Sequence, residues 1–264
     1  ETYYSTAAQL EANLNDEYPN VLPSFGQWTY GIFGEDKGTD NQIEVNANDR
    51  YTQDRWKVPH SESDNWKFER IYRINFFLSE ALPKFGEDMS GSQNTISGSV
   101  ATIKHYIGEM YFLRAYEYFK KLQLFGDFPI IDQPLADEME ALREASKRFP
   151  RNEVARFIIS DLDKAYAYMS DVDMATTRIN KDAAMLVKSR VALFEATWLQ
   201  NFKGTAFVPG GEGWPGASLH NNYQYPSGNL DNEVKYFLEQ AVEASKLVAD
   251  KYKGNLTENT GVLQ

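Results

Sequence analysis

The chain has 264 residues, with 27 Lys or Arg against 38 Asp or Glu for a formal charge of −11, and 42% of it is hydrophobic. That apolar fraction suffices for a packed core and excludes a disordered chain, while the acidic balance argues against nucleic acid, whose phosphates require clustered cations. With no Cys, disulfides, thiolate-bound zinc, iron–sulfur clusters and thiol catalysis are excluded, and no apolar run approaches the ~18–20 residues that span a bilayer.

The chain opens without Met, and Glu1-Thr2-Tyr3-Tyr4 is neither the charged nor the apolar part of a leader, so a processed or trimmed start is expected. Thr6-Ala7-Ala8-Gln9 has capping-box spacing, and Leu10, Leu14 and Tyr18 follow at intervals of four. These residues predict a helix over 5–18 that Pro19 ends. A second helix is predicted over 66–82, where Phe68, Ile71, Asn75, Leu78 and Leu82 step by three or four until Pro83. A buried amide must be hydrogen-bonded, so Asn75 in that apolar stripe is expected to tie the helix to an adjacent backbone.

The segment 98–125 carries two stripes, Ile103, Ile107 and Met110 on one side and Tyr111, Ala115, Tyr118, Leu122 and Phe125 on the other. A helix apolar on two sides is sandwiched between neighbours. Tyr111, Tyr116 and Tyr118 are expected to pack in the core with their hydroxyls at its rim. Gly126 supplies the stop, and Phe125-Gly126-Asp127-Phe128-Pro129 is expected to be structural, because Gly adopts φ > 0 and Pro forces an extended exit. Further helices are predicted over 152–170, 181–202 and 231–253, the last with Asp231 as its N-cap. Alternating apolar and polar runs are nearly absent. The fold class is therefore all-α, with antiparallel helix pairs able to stack into a superhelical array, although no fixed repeat period is legible. After Lys253-Gly254 the chain stops at Gln264 with no closing element, which suggests a fragment.

Two connections, 20–65 and 203–230, exceed the ~12–15 residues expected of a plain connector. Both are rich in rings, including Phe25, Trp28, Tyr30, Phe33 and Trp56 in the first and Phe207, Trp214, Tyr223 and Tyr225 in the second. Several motifs fail on context. Gly211-Glu212-Gly213-Trp214-Pro215-Gly216 matches a dinucleotide fingerprint literally, but Pro209 precedes it and Pro215 sits inside, so it reads as a flexible loop. His60, His105 and His220 are dispersed and read as surface or packing residues. The oxygen-rich segment 35–44 lacks the order of a calcium loop and is expected to be solvated, with a calcium or sugar contact as the alternative. No cofactor is expected.

The run Gly108-Glu109-Met110-Tyr111-Phe112-Leu113-Arg114-Ala115-Tyr116-Glu117-Tyr118-Phe119, followed by Leu124-Phe125-Gly126-Asp127-Phe128-Pro129-Ile130-Ile131, resembles the signature of the SusD/RagB family. Trp66 with Ile71-Tyr72-Arg73-Ile74-Asn75, Asn152-Glu153-Val154 with Ile158-Ile159-Ser160-Asp161-Leu162, and Arg178 with Lys181 and Arg190-Val191-Ala192-Leu193-Phe194 are similar to its other anchors, in its order. Ala155-Arg156-Phe157 departs from the usual aromatic after the Val, and the family's lipid-bearing Cys and C-terminal half have no counterpart.

The resemblance implies a tetratricopeptide-like array carrying glycan-binding loops, with residues 1–264 as a single N-terminal helical domain of a longer lipoprotein. It implies a binding protein rather than an enzyme, anchored outside the outer membrane by a lipid beyond this chain. Its expected partners are an oligosaccharide and a SusC-like TonB-dependent transporter. The alternative is a helical-repeat interaction scaffold with no glycan site of its own. Rings suit sugars because an apolar ring face covers the C–H face of a pyranose. Phe25 and Phe33 lack polar tips and are expected to anchor the first loop. Trp28, Tyr30 and Trp56 are expected to form a platform, with Asp40, Asn41 and Arg55 bracketing sugar hydroxyls and Trp214 contributing from the second loop.

Overall fold

The computed structural model describes residues 3–23, 42, 65–86, 88–170, 174 and 177–255. Seven α-helices occupy them: α1 (Ala7–Val21), α2 (Glu69–Phe85), α3 (Val100–Phe125), α4 (Met139–Ala145), α5 (Arg151–Tyr168), α6 (Lys181–Asn201) and α7 (Leu230–Tyr252). The described residues form no strand, only isolated bridges such as Thr6–Ser97 and Phe128–Phe149.

The capping box forms as expected: Gln9 N donates to Thr6 Oγ1 at 3.3 Å and Thr6 N donates to Gln9 Oε1 at 3.3 Å. At α7 the expected cap is displaced. Asn229 accepts from Asn232 N at 2.8 Å, whereas Asp231 lies in the first turn and pairs with Lys203 at 2.6 Å. Neither proline stops its helix. Pro19 and Pro83 both lie inside, two residues before the ends at Val21 and Phe85. A proline in the last turn removes only one hydrogen bond. Continuing the turn fully buries Val21 and Phe85, worth roughly 1.5–3 kcal/mol each. Carbonyls of the last turns, which no helix N–H reaches, also find partners, Val21 O from Lys120 Nζ and Lys84 O from Thr95 N at 2.8 Å. The short helix α4 escaped the sequence reading because it buries no residue and so carries no apolar stripe.

Helix α3 is the centre, with both stripes covered: α1 and α2 pack on one side and α5 on another. Gly108 of α3 opposes Ala165 of α5 and its C-cap Met169, Arg114 opposes Asp161, and Tyr118 opposes Phe157, so the two helices run antiparallel. A Cβ at Gly108 would meet Ala165 O and Met169 N at 2.9 Å, so this approach requires glycine. Helices α5 and α6 (Arg151 on Glu195, Lys188 on Asp163) and α6 and α7 (Ser189 on Ala241, Asp182 on Lys251) are antiparallel by the same reasoning.

One buried polar junction holds α2, α3 and α5 together. Arg114 donates to both oxygens of Asp161 at 2.6 and 2.8 Å, and to Asn75 Oδ1 and Asp132 O at 2.9 Å. Asn75 Nδ2 donates to Ile131 O at 2.8 Å, the backbone tie expected of it. Tyr118 is fully buried, and its hydroxyl lies inside rather than at the rim, donating to Ile131 O at 3.0 Å and accepting from Ile131 N at 2.8 Å.

Candidate functional site

Both long connections emerge at the same end of the array, on the turn that follows α3. The first is gripped at its two bases by consecutive lysines of α3. Lys120 Nζ donates to Val21 O, and Lys121 Nζ donates to Asn65 O at 2.7 Å. Trp66 then packs edge-on against Phe125 and Phe128, each at 4.9 Å between centroids, with the Arg148 guanidinium 4.6 Å above its ring. These aromatic contacts explain why α2 begins only at Glu69: Trp66 and Phe68 serve the ring cluster instead of the helix. Trp28, Tyr30, Asp40, Asn41, Arg55 and Trp56, with the expected anchors Phe25 and Phe33, lie outside the described residues.

The second connection is seated on Asp127 of the same turn. Trp214 Nε1 donates to Asp127 Oδ2 at 2.7 Å, while Asp127 Oδ1 accepts from Arg151 N at 2.9 Å and so caps α5 from outside. Burial pushes the Asp127 carboxyl up from the ordinary carboxylate range, against the lowering effect of those two hydrogen bonds. Trp214 is only 5% exposed, with its ring near-parallel to His220 at 6.0 Å and beside Tyr223 at 5.6 Å. It therefore anchors the loop from within and presents no open stacking face with which to contribute to a sugar site from the second loop. The glycine-rich stretch around it is a series of turns, such as Trp214 N to Gly211 O at 3.2 Å and a 3₁₀ turn at Pro215–Ser218. It has neither the strand nor the helix N-terminus of a dinucleotide cradle.

Tyr223 and Tyr225 of this loop are also tied down, whereas Phe207 meets Phe202 edge-on at 5.5 Å and stays 62% exposed. The Tyr223 hydroxyl donates to Glu153 Oε1 at 2.9 Å and accepts from Asn152 Nδ2 at 2.9 Å, and Tyr225 donates to Pro209 O at 2.5 Å. Beneath them Glu233 accepts from Arg156 at 2.7 and 2.8 Å, from Asn152 at 3.0 Å and from Ser227 N at 3.1 Å. Burial alone would raise the Glu233 carboxyl, but these donors outweigh it and hold the group below its ordinary value. His105 is a buried packing residue, its Nδ1 accepting from Ser170 N at 3.1 Å.

A different set of rings stays open. Between α1 and α2 runs a groove of about 520 Å³ lined by Tyr3, Tyr4, Tyr72 and Phe76, with Asn13, Asp16 and Arg73 among them. Tyr72 is 52% exposed and Tyr3 49%. The sequence held a signal for it: Tyr72 falls off the apolar stripe Phe68, Ile71, Asn75, Leu78, Leu82, so its ring points away from the core. No described helix is long and apolar enough to cross a membrane.

Residues 4–193 match the SusD-like family described as starch-binding and associating with the outer membrane. SusD-like protein P2 of Formosa agariphila is 26% identical over 220 residues, covering 79% of this chain and 40% of that relative. A SusD-like carbohydrate binding protein from Bacteroides vulgatus superposes with a TM-score of 0.53 at 13% identity, covering 98% of this chain and 47% of that one. The fold is thus the tetratricopeptide-like helical array of those proteins. The chain spans less than half the length of either relative. With a match that runs from the residues before α1 through most of α6, this chain belongs to the SusD-like family.

Proposed function

We propose that the chain is the helical part of a cell-surface protein that binds oligosaccharide or glycoconjugate and delivers it to a SusC-like TonB-dependent transporter. Membrane attachment is through a lipid outside this chain, and the role is capture rather than catalysis. The observation that carries this reading is the family match over residues 4–193, together with the grip on the two bases of the first connection at the end of the array where the second is seated. In this reading Trp28, Tyr30 and Trp56 offer ring faces, and Asp40, Asn41 and Arg55 take sugar hydroxyls. Trp214 supports the surface from below.

The test is calorimetric titration of the full-length protein with maltoheptaose and laminariheptaose, comparing the parent with Trp28→Ala and Trp56→Ala. Removing an indole that stacks on a sugar costs about 1–3 kcal/mol of binding, or roughly 5- to 150-fold in affinity. Two well-folded variants that bind as tightly as the parent would move the site off this loop. A full-length protein that binds its transporter but no sugar would be the interaction scaffold instead.

A further inference from the structure

We infer that Lys120, Lys121 and Glu117 of α3 are positioning residues for the first long connection. They fix where it leaves α1 and where it returns before α2, and so how it meets its sugar. This rests on the reading that the connection carries the sugar site.

The 43 residues between Val21 and Asn65 are bounded by two carbonyls that neighbouring side chains of one helix hold. Val21 O closes α1, where no helix N–H reaches it, and Lys120 Nζ donates to it. Lys121 Nζ donates to Asn65 O at 2.7 Å, one residue before Trp66 enters the ring cluster. Both ammonium groups lie beside one carboxylate. Glu117 Oε1 is 3.3 Å from Lys121 Nζ, and Glu117 Oε2 is 3.8 Å from Lys120 Nζ. The Arg70 guanidinium, in the first turn of α2, approaches the same Oε2 at 3.8 Å. The exit from α1, the return to α2 and the first turn of α2 are thus gathered around a single buried carboxylate.

Packing alone does not call for this arrangement. Glu117 is buried and Lys121 nearly so, and taking such charges out of water costs stability that an apolar pair of the same volume would not lose. What the charged groups add is direction. An ammonium satisfies a carbonyl only at hydrogen-bond distance, so each end of the connection is held at one place against α3. Helix α3 is itself packed by α1 and α2 on one side and α5 on another, so both ends are tied to the centre of the fold. A segment tied at both ends to a fixed scaffold brings its binding residues to a ligand with less ordering left to do.

The experiment uses the full-length protein carrying Lys120→Met, Lys121→Met or Glu117→Gln, each in the parent and in a Trp28→Ala/Trp56→Ala background. Methionine nearly keeps the length of lysine and removes its donor. Lys120, whose side chain is 36% accessible, keeps the test open should the two buried variants not fold. Maltoheptaose and laminariheptaose are titrated, and trypsin cleavage is followed at Arg50, Arg55 and Lys57 within the connection. Each variant is expected to weaken sugar binding about fivefold in the parent and less than about twofold where both indoles are gone, a coupling that general destabilisation does not produce. Cleavage within the connection is expected to rise about fivefold while cleavage in the helices keeps the parent rate. Variants that bind like the parent while loss of the indoles weakens binding, or that lose affinity equally in both backgrounds, overturn the positioning role. The loop reading fails separately, if protein without the indoles binds like the parent or the parent binds neither sugar. Cleavage then decides whether the ends are held at all: parent rates in the lysine variants would overturn that too.

Discussion

The second long connection and the α1/α2 groove are built from the same materials, rings beside amides and carboxylates, and they use them in opposite ways. In the connection, Trp214 is 5% exposed and its only donor is engaged by Asp127. In the groove, Tyr72 is 52% exposed and a neighbouring amide oxygen has no partner among the described residues. The difference follows from chain length between anchors. Twenty-eight residues separate α6 from α7, and they cannot be ordered without burying side chains of their own, so Trp214, Tyr223 and Tyr225 become pegs while Phe207 alone of its named rings stays open at 62% exposure. Two helices already fixed by α3 have no such need, and a ring between them is left open. Ring content alone therefore marks neither region as a site.

The comparison breaks most visibly at Trp214. If the indole is a peg, Trp214→Ala removes a fully packed side chain and leaves buried Asp127 without one of its donors. The expected loss is about 3–5 kcal/mol of stability, read by urea denaturation. A loss below about 1 kcal/mol would show that the loop holds itself without this ring, and Trp214 would return to the list of surface contacts.

A smaller effect is expected at Gly126, the turn on which both connections are seated. Its φ of 69° with ψ of −103° lies outside the left-handed helical well, a region open to glycine alone. A Cβ there meets Arg151 Nη1 at 3.4 Å, an ordinary contact, so crowding adds little and backbone strain dominates. Gly126→Val should cost about 1–3 kcal/mol, and Gly126→Ala nearly as much. An unchanged melting temperature for both would contradict this account.

Much of this was legible in the sequence wherever the cause is local. The capping box at Thr6 and Gln9, the two-sided helix α3, the amide at Asn75 and the glycine stop at Gly126 each depend on residues within a turn or on burial that periodicity reveals. What escaped depends on distant partners. The prolines failed as stops because Val21 and Phe85 are buried by other helices and because Lys120 lies 99 residues from the carbonyl it holds. Trp214 is expected from the sequence only as a contributor from the second loop, because its partner Asp127 is 87 residues away and no local pattern announces it. Asp231 lost the cap to Asn229 because helix starts shift by a residue or two when several capping residues lie together. The groove rings were visible as an off-stripe Tyr72, a signal about exposure that says nothing of the neighbouring helix.

The smallest effect sharpens the comparison most. Tyr72→Ala removes a ring that is half in solvent, stacked on one neighbour and outside the core, so the fold should lose no more than about 0.5–1 kcal/mol. Phe77 on the same helix is fully buried against Tyr4 at 4.9 Å, and Phe77→Ala sets the scale at about 3–5 kcal/mol. Thermal unfolding of the two variants side by side measures the contrast. A small loss leaves Tyr72 an open ring on a fixed backbone, whereas a Tyr72→Ala loss approaching that of Phe77→Ala would make Tyr72 a peg like Trp214. The groove would then be a seam between helices, and the contrast with the second connection would vanish.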